Sequence, residues 1–254
     1  MRKPSLINKG VLIIGPAVIV VAWLVAGWLK LINPLFIPSL PEVFASLRRM
    51  IASGILLNDL ANTAWRTFVG FIISAVVGIP LGLLLGSNEN IRRATSVLVD
   101  FFRSVPGTAL FPLFLLFFGI GDRAKIANAV FACTLIVLIN AMYGVRNVNQ
   151  TRINAAKTMG ASSIRIYYRI VLPSALPEIA GGLRIAVSIA LIVIVVTEMF
   201  IGTSNGLGKR IFNAYQLFQV PDMFAAILIT GLFGYLLNLL LAALEQRLIH
   251  WGGK

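Results

Sequence analysis

The sequence is poor in the residues that most soluble chemistry uses. Its 254 residues include one cysteine and one histidine. A lone cysteine excludes a disulfide within the chain. Cys133 lies inside an apolar run and reads as a small buried hydrophobe. A lone histidine excludes a histidine-based metal cage or a hydrolytic triad. His250 sits beside Trp251 and reads as a polar tip at a membrane interface. Charge is scarce as well: 12% of the residues are charged, where a soluble domain carries roughly 25%. Acidic residues are the rarer sign, 9 against 22 basic ones. No Gly-x-x-x-x-Gly-Lys-Ser/Thr phosphate loop is present. Its nearest echo, Gly202 to Arg210, has the wrong spacing and puts Arg210 where a hydroxyl must hold magnesium. The chain is therefore expected to hydrolyse no ATP, and no cofactor is called for.

What is abundant is apolar: 58% of the residues are hydrophobic and the mean hydropathy is +0.90. The net charge of +13 would suggest nucleic acid in a soluble protein. Here the basic residues sit in short segments between apolar runs, which points to orientation in a bilayer and away from nucleic acid. A helical span needs ~20 apolar residues. Uncharged runs near that length fall at 10–29, 67–87, 104–121, 126–145 and 223–244, and a sixth, 185–201, is interrupted only by Glu198. Six spans in one membrane domain, residues 1–254, are expected. All are α-helices, because lipid offers no other way to satisfy an open backbone. Met1-Arg2-Lys3 ahead of the first run resembles a signal peptide. That run is long enough to span and lacks a small-x-small cleavage site, so a retained first span is expected.

Lysine and arginine set the orientation. With the N-terminus inside, the cytoplasmic segments hold Arg2, Lys3, Lys9, Arg92 and Arg93. The central loop, 146–184, adds Arg146, Arg152, Lys157, Arg165, Arg169 and Arg184, and the tail adds Arg247 and Lys254. The outer segments hold Lys30, Arg48, Arg49, Arg123, Lys125, Lys209 and Arg210. Both termini are expected in the cytoplasm.

Within the spans, Gly78, Gly82 and Gly86 recur every four residues and line one helix face, which admits a neighbouring helix closely. Pro80 should bend that helix, and Pro106 and Pro112 interrupt the third run. The outer loop, 31–64, contains Val43, Phe44, Leu47, Met50 and Ile51 at helical spacing opposite Arg48 and Arg49. This is an amphipathic helix lying on the bilayer or on the other spans. Ionisable groups in spans are functional suspects. Thr197 and Glu198 are candidates for the pathway; the alternative is that Glu198 sits at the water interface or pairs with Lys209 or Arg210. Asp100 and Arg103, one turn apart, read as a local ion pair. Asn140 and Asn238 read as hydrogen bonds across helices.

The polar interruption after the fourth run carries the most specific signal. Arg152 to Met159 should form a short helix that Gly160 ends in a left-handed conformation. Ser162 or Ser163 should cap a second helix, and Pro173 should stop it. Ala155 and Ala156 give a smooth surface that fits a partner's groove, and the flanking basic residues would steer an acidic rim. From physics alone a linker resting on lipid is equally open. The order Ala155-Ala156, three residues, Gly160, nine residues, Ile170-x-Leu172-Pro173 resembles the EAA loop of ABC importer permeases, with Asn154 in place of the family's leading glutamate. Other stretches are similar to permeases of the alkanesulfonate, taurine and nitrate branch. They include Thr63, Arg66 and Gly70-Phe71; Arg103 to Pro106; Gly182-Leu183-Arg184; Gly206-Leu207-Gly208; and Leu244 to Arg247.

The resemblance implies a type I ABC importer permease fold. It implies ATP-binding subunits docked at the cytoplasmic face on Asn154, Ala155, Ala156, Gly160, Ile170, Leu172 and Pro173. It also implies an extracytoplasmic solute-binding protein, a permease homodimer in the inner cell membrane, and a small solute such as a sulfonate, taurine or nitrate. A neutral or heterocyclic nutrient such as a vitamin precursor stays open. Two rivals remain: a secondary transporter driven by an ion gradient, which needs acids at the bilayer midplane, and a scaffold that binds a partner without moving solute.

Overall fold

The glycine row of the second run decides how the helices pack. A computed structural model of the chain describes residues 9–29, 33, 36–200 and 203–249. Several sequence expectations fall outside them: the His250–Trp251 pair, the end of the last-but-one run at Ile201, the start of the phosphate-loop echo at Gly202, and the orienting charges Arg2, Lys3, Lys30 and Lys254. The described elements are helical. The first run forms α1 (Lys9–Trp28), which continues through Pro16. Next come α2 (Leu40–Ala52) and the 33-residue α3 (Ile55–Ser87). On α3, a Cβ added at Gly78 would come within 2.9 Å of Thr134 O, one at Gly82 within 2.3 Å of Leu138 O, and one at Gly86 within 2.7 Å of Val145 Cβ. The three glycines lie against the backbone of α6 (Asp122–Arg146). Contacts advance together along both chains, so α3 and α6 run parallel. A packing role accounts for the row.

The helix α9 (Leu172–Glu198) returns antiparallel to α6. Gly182 faces Asn140, Gly144 faces Ala175, and the Cys133 thiol reaches Ala186 O at 3.3 Å. Cys133, Val137, Ala186, Val187 and Ala190 form the buried centre between these helices. Cys133 is thus the small buried hydrophobe expected. The last helix, α11 (Val220–Leu248), lies on α9 and α2. Asn238 on α11 donates to Ser188 Oγ at 2.8 Å, as expected for a cross-helix bond. Asn140 does otherwise: it donates to Ile136 O of its own helix at 2.8 Å. Four helical stretches are long and apolar enough to cross a membrane: Ile55–Ser87, Asp122–Arg146, Ser163–Glu198 and Val220–Leu248.

The run 104–121 is not one helix. It splits into the end of α4 (Glu89–Ser104), a tight turn Gly107–Leu110 and α5 (Phe111–Phe118), and the two arms meet at 84°. Pro106 is the cause. Its ring forces the preceding Val105 into an extended conformation, φ −81° and ψ 122°. Asp100 and Arg103 do form the local pair, at 3.1 Å on exposed surface.

The outer loop is shorter than expected because α3 starts at Ile55 and not near residue 65. Ser39 and Glu42 form a capping box at the start of α2, with Pro41 in its first turn. Val43, Ser46 and Met50 are buried. Arg49 pairs with Asp222 of α11 at 3.1 Å, and Ser46 donates to the same carboxylate. Of the two placements expected for this helix, the structure takes the one on the other spans.

Candidate functional site

Two polar assemblies stand out, one at each end of the α3–α6–α9 core. At the cytoplasmic end expected from the basic loop lies α7 (Gln150–Thr158), capped by the Asn149 side chain, which accepts from Thr151 N. Gly160 ends it at φ +78°. Gly160 N donates to Lys157 O at 2.9 Å and Ala161 N to Ala156 O at 3.0 Å. These two bonds are the Schellman closure that satisfies the last carbonyls of a helix. Ser162 Oγ then accepts a long bond, 3.4 Å, from Arg165 N and opens α8 (Ser163–Ile166).

Pro173 does not stop this second helix. The chain passes through a π-helical turn, Tyr167–Val171, into α9, and the helical stretch is continuous from Ser163 to Glu198. Leu172 N bonds back five residues to Tyr167 O. The widened turn gives the proline ring room where it would otherwise meet the carbonyl four residues earlier. The stretch 146–184 therefore holds α7 and more than half of the long helical stretch Ser163–Glu198.

The two helices enclose a cleft of about 640 Å³, lined by Arg152, Ala155, Ala156 and Met159 on one side and Arg169, Ile170 and Pro173 on the other. Met159 is 86% exposed. Asn154 and Ala155 are exposed beside it, and Leu172 is half-buried behind. Beneath, Val145, Val148, Ile166, Val171 and Ala175 form a buried cluster that holds the helices in place. The sequence motif is thus brought together as one face: small, apolar at its centre and basic at its edges.

At the other end, Asp59, Thr63 and Arg66 stand on one face of α3. Arg66 is buried and donates four ways: Nε to Asp122 at 2.9 Å, Nη1 to Glu198 at 2.6 Å and to Asn205 O at 2.9 Å, and Nη2 to the Asn205 side chain at 2.7 Å. Glu198 also accepts from Thr63 Oγ1 at 2.9 Å and from Gly208 N at 3.0 Å. Asp59 accepts from Gly206 N at 2.8 Å and from Arg210 Nε at 2.8 Å. Lys125, also buried, reaches Asp122 at 3.3 Å. Asn205, Gly206 and Gly208, at the entry to α10 (Leu207–Gln216), all bond to this set. The six charges cancel, as a buried set requires.

Glu198 pairs with Arg66, and neither Lys209 nor Arg210 is its partner. Thr197 and Glu198 are both fully buried. Thr197 donates to Ile194 O within its own helix at 2.9 Å.

The chain has known relatives. Residues 78–250 match the profile of the binding-protein-dependent transport system inner membrane component. The chain belongs to that family. It is 32% identical over 243 residues to the taurine transport system permease protein TauC of Escherichia coli (strain K12), covering 94% of this chain and 88% of TauC. It is 33% identical over 204 residues to the formylaminopyrimidine transport permease protein ThiX of Halalkalibacterium halodurans, covering 80% of this chain and 81% of ThiX. In solved structures it resembles an inward-facing form of the MetNI methionine ABC transporter, with a TM-score of 0.67 and 22% identity over 79% of this chain and 97% of that one. The protein is a permease subunit of an ABC importer with the all-α fold of type I importers.

The permease's Arg66–Glu198 assembly is only half visible in its sequence. In the sequence, Thr63, Arg66 and the Gly206-Leu207-Gly208 stretch are signs of resemblance and Lys125 is only an orienting charge, while nothing singles out Asp59 or Asp122. A signal was there: Asp59, Thr63 and Arg66 recur at helical spacing ahead of an uncharged run. Such charged groups need opposite charges from elsewhere, and Glu198 was the lone acid in its own run.

Proposed function

We propose that two copies of this permease form a translocation pathway in the inner membrane, driven by ATP-binding subunits seated on the cleft between α7 and the start of α9. The exposed Ala155–Met159 face carries this reading. It is rigidly closed at Gly160, backed by a buried cluster, and shaped by small residues for insertion into a groove. Asn154, Ala155, Ala156 and Gly160 present the face; Ile170, Leu172 and Pro173 form its wall. The chain supplies no ATPase site of its own in this scheme, and hydrolysis belongs to the partner. The basic residues of the central loop put this face and both termini in the cytoplasm. The Arg66–Glu198 end then faces outward, where a solute-binding protein delivers its cargo. Thr197 and Glu198 serve the pathway by fixing its outer wall. Six spans result when α1 crosses once and the bent pair α4–α5 crosses once.

The likeness to TauC favours a small sulfonate-type anion as cargo. The likeness to ThiX supports a second reading, a small heterocyclic nutrient. The test is co-purification from membranes in mild detergent, native chain beside Ala155→Arg. Arginine keeps α7 helical but fills the partner's groove. A phosphate-loop ATPase should accompany the native chain and be lost with the variant. Equal recovery in both would place the ATPase elsewhere. Uptake of labelled taurine against labelled aminopyrimidine then separates the two cargo readings.

A further inference from the structure

We propose that the groove between α3, α5 and α6 holds one anionic phospholipid, with its acyl chain between the helices and its phosphate on Arg123. The groove measures about 650 Å³. Ile73 and Val77 of α3 and Phe114 and Phe118 of α5 form its walls, and Ile126 and Val130 of α6 its floor. Almost all of its lining is carbon. Phe114 stacks on Phe118 at 6.2 Å and leans on Phe131 at 6.1 Å, so the aromatic wall is braced. Along α6 the lining runs from Arg123 to Leu135. At 1.5 Å per residue that is about 18 Å, close to one leaflet of a ~30 Å hydrocarbon core.

Charge selects the headgroup. Arg123 is exposed at the start of α6, where the charged Asp122–Lys125 segment gives way to the apolar span. Its neighbour Asp122 is already held by Arg66 and Lys125, so no acidic side chain among the described residues pairs with Arg123. A guanidinium there suits a phosphate, which it can grip with two parallel bonds. A zwitterionic lipid offers the same chain and phosphate but no net charge. An acyl chain also fills the apolar space, which would otherwise leave the helix walls without packing partners.

The test uses the assembled importer, purified in mild detergent, stripped of lipid, and offered phosphatidylglycerol or phosphatidylcholine with identical chains. Retained lipid is counted by native mass spectrometry. The native complex should prefer phosphatidylglycerol by about fivefold, the preference one basic side chain confers at a membrane surface. Arg123→Gln should retain both lipids alike, and Val130→Trp, which fills the groove, should retain neither at this site. Arg123 is on the surface, so its variant keeps the test valid if the tryptophan disturbs folding. An unchanged preference in Arg123→Gln would overturn the proposal. A benzophenone side chain at Val130 should label phospholipid; labelling of a second permease copy would also overturn it, by assigning the groove to that copy.

Discussion

Arg66 on α3 donates to Glu198 on α9 across 2.6 Å, and neither side chain is more than 3% exposed. The pair ties together two helices that otherwise meet mainly through α6. It also closes this end of the helical core, because the backbone of Gly208 and the side chain of Thr63 converge on the same carboxylate. Removing one partner of such a pair leaves a buried charge without compensation, at a cost of about 3–5 kcal/mol. Glu198→Ala should therefore melt markedly below the native chain in detergent and lose transport with its stability. A variant of native stability with only a changed apparent affinity for solute would instead make Glu198 a solute contact.

Gly206 and Gly208 are bound to the same carboxylate by space. A Cβ at Gly206 would lie 2.4 Å from the Glu198 carboxyl carbon, at φ +128°, and one at Gly208 would lie 2.0 Å from Val195 O. The Glu198 carboxylate is pinned by Arg66 and Thr63, and Val195 O is backbone, so neither neighbour yields easily. Gly206→Ala and Gly208→Ala should each displace the α10 loop and cost several kcal/mol, of the order of an overpacked core. Gly160→Ala is the contrast: nothing lies within 4 Å of its Cβ, and only the left-handed backbone resists, at about 1–2 kcal/mol. Melting curves of the three variants should rank in that order.

How much of this was legible follows from the range of each cause. Helical class and the positions of the long helices come from uninterrupted apolar runs, which lipid converts into helices with no other information. Gly160 was readable because a left-handed helix end needs a single residue. The glycine row of α3 was readable because it repeats. The misreadings arose where one local rule met another. Pro106, an expected interruption, does more than bend its run and splits it into two arms at 84°. Pro173 failed to break a helix because a π-helical turn upstream relieved its ring. The Arg66–Glu198 network was least legible, since the two residues are 132 apart and no periodicity links them. Only the bookkeeping of unpaired charge could have joined them, and it names no partner.

The α3–α6 contact offers a cleaner stability test, one that involves no charged side chain. Gly82 faces Leu138 O at 2.3 Å and Ala141 Cβ at 2.6 Å from its ideal Cβ position, whereas Gly181 on α9 has nothing within 4 Å. Gly82→Leu should separate two parallel helices along their length and abolish stable expression. Gly181→Ala should be neutral or slightly stabilising, by up to about 1 kcal/mol, because alanine is the better helix former. Fluorescence-detected size exclusion of tagged variants reads both outcomes. A monodisperse Gly82→Leu peak would show that α3 does not depend on close approach to α6.

With the ATPase subunits seated on the α7–α9 cleft as proposed, its basic edges predict how they find it. Arg152 and Arg169 line opposite sides of the cleft, and no acidic residue occurs between Arg146 and Pro177. Charges at the rim of an interface act mainly on the rate of encounter, while the packed centre governs the lifetime of the complex. Arg152→Glu with Arg169→Glu should therefore slow association of the ATPase subunits by about tenfold or more at low salt and leave dissociation nearly unchanged. Raising ionic strength from about 0.05 to 0.5 M should slow the native chain and narrow the gap to the variant, because the screening length falls well below 10 Å. Met159→Ala should do the reverse: it removes apolar contact at the centre, so dissociation should speed while association holds. Surface plasmon resonance on nanodisc-embedded permease separates the two rates. If charge reversal changed only dissociation, the arginines would sit within the packed centre, and the seat of the ATPase would have to be redrawn around them.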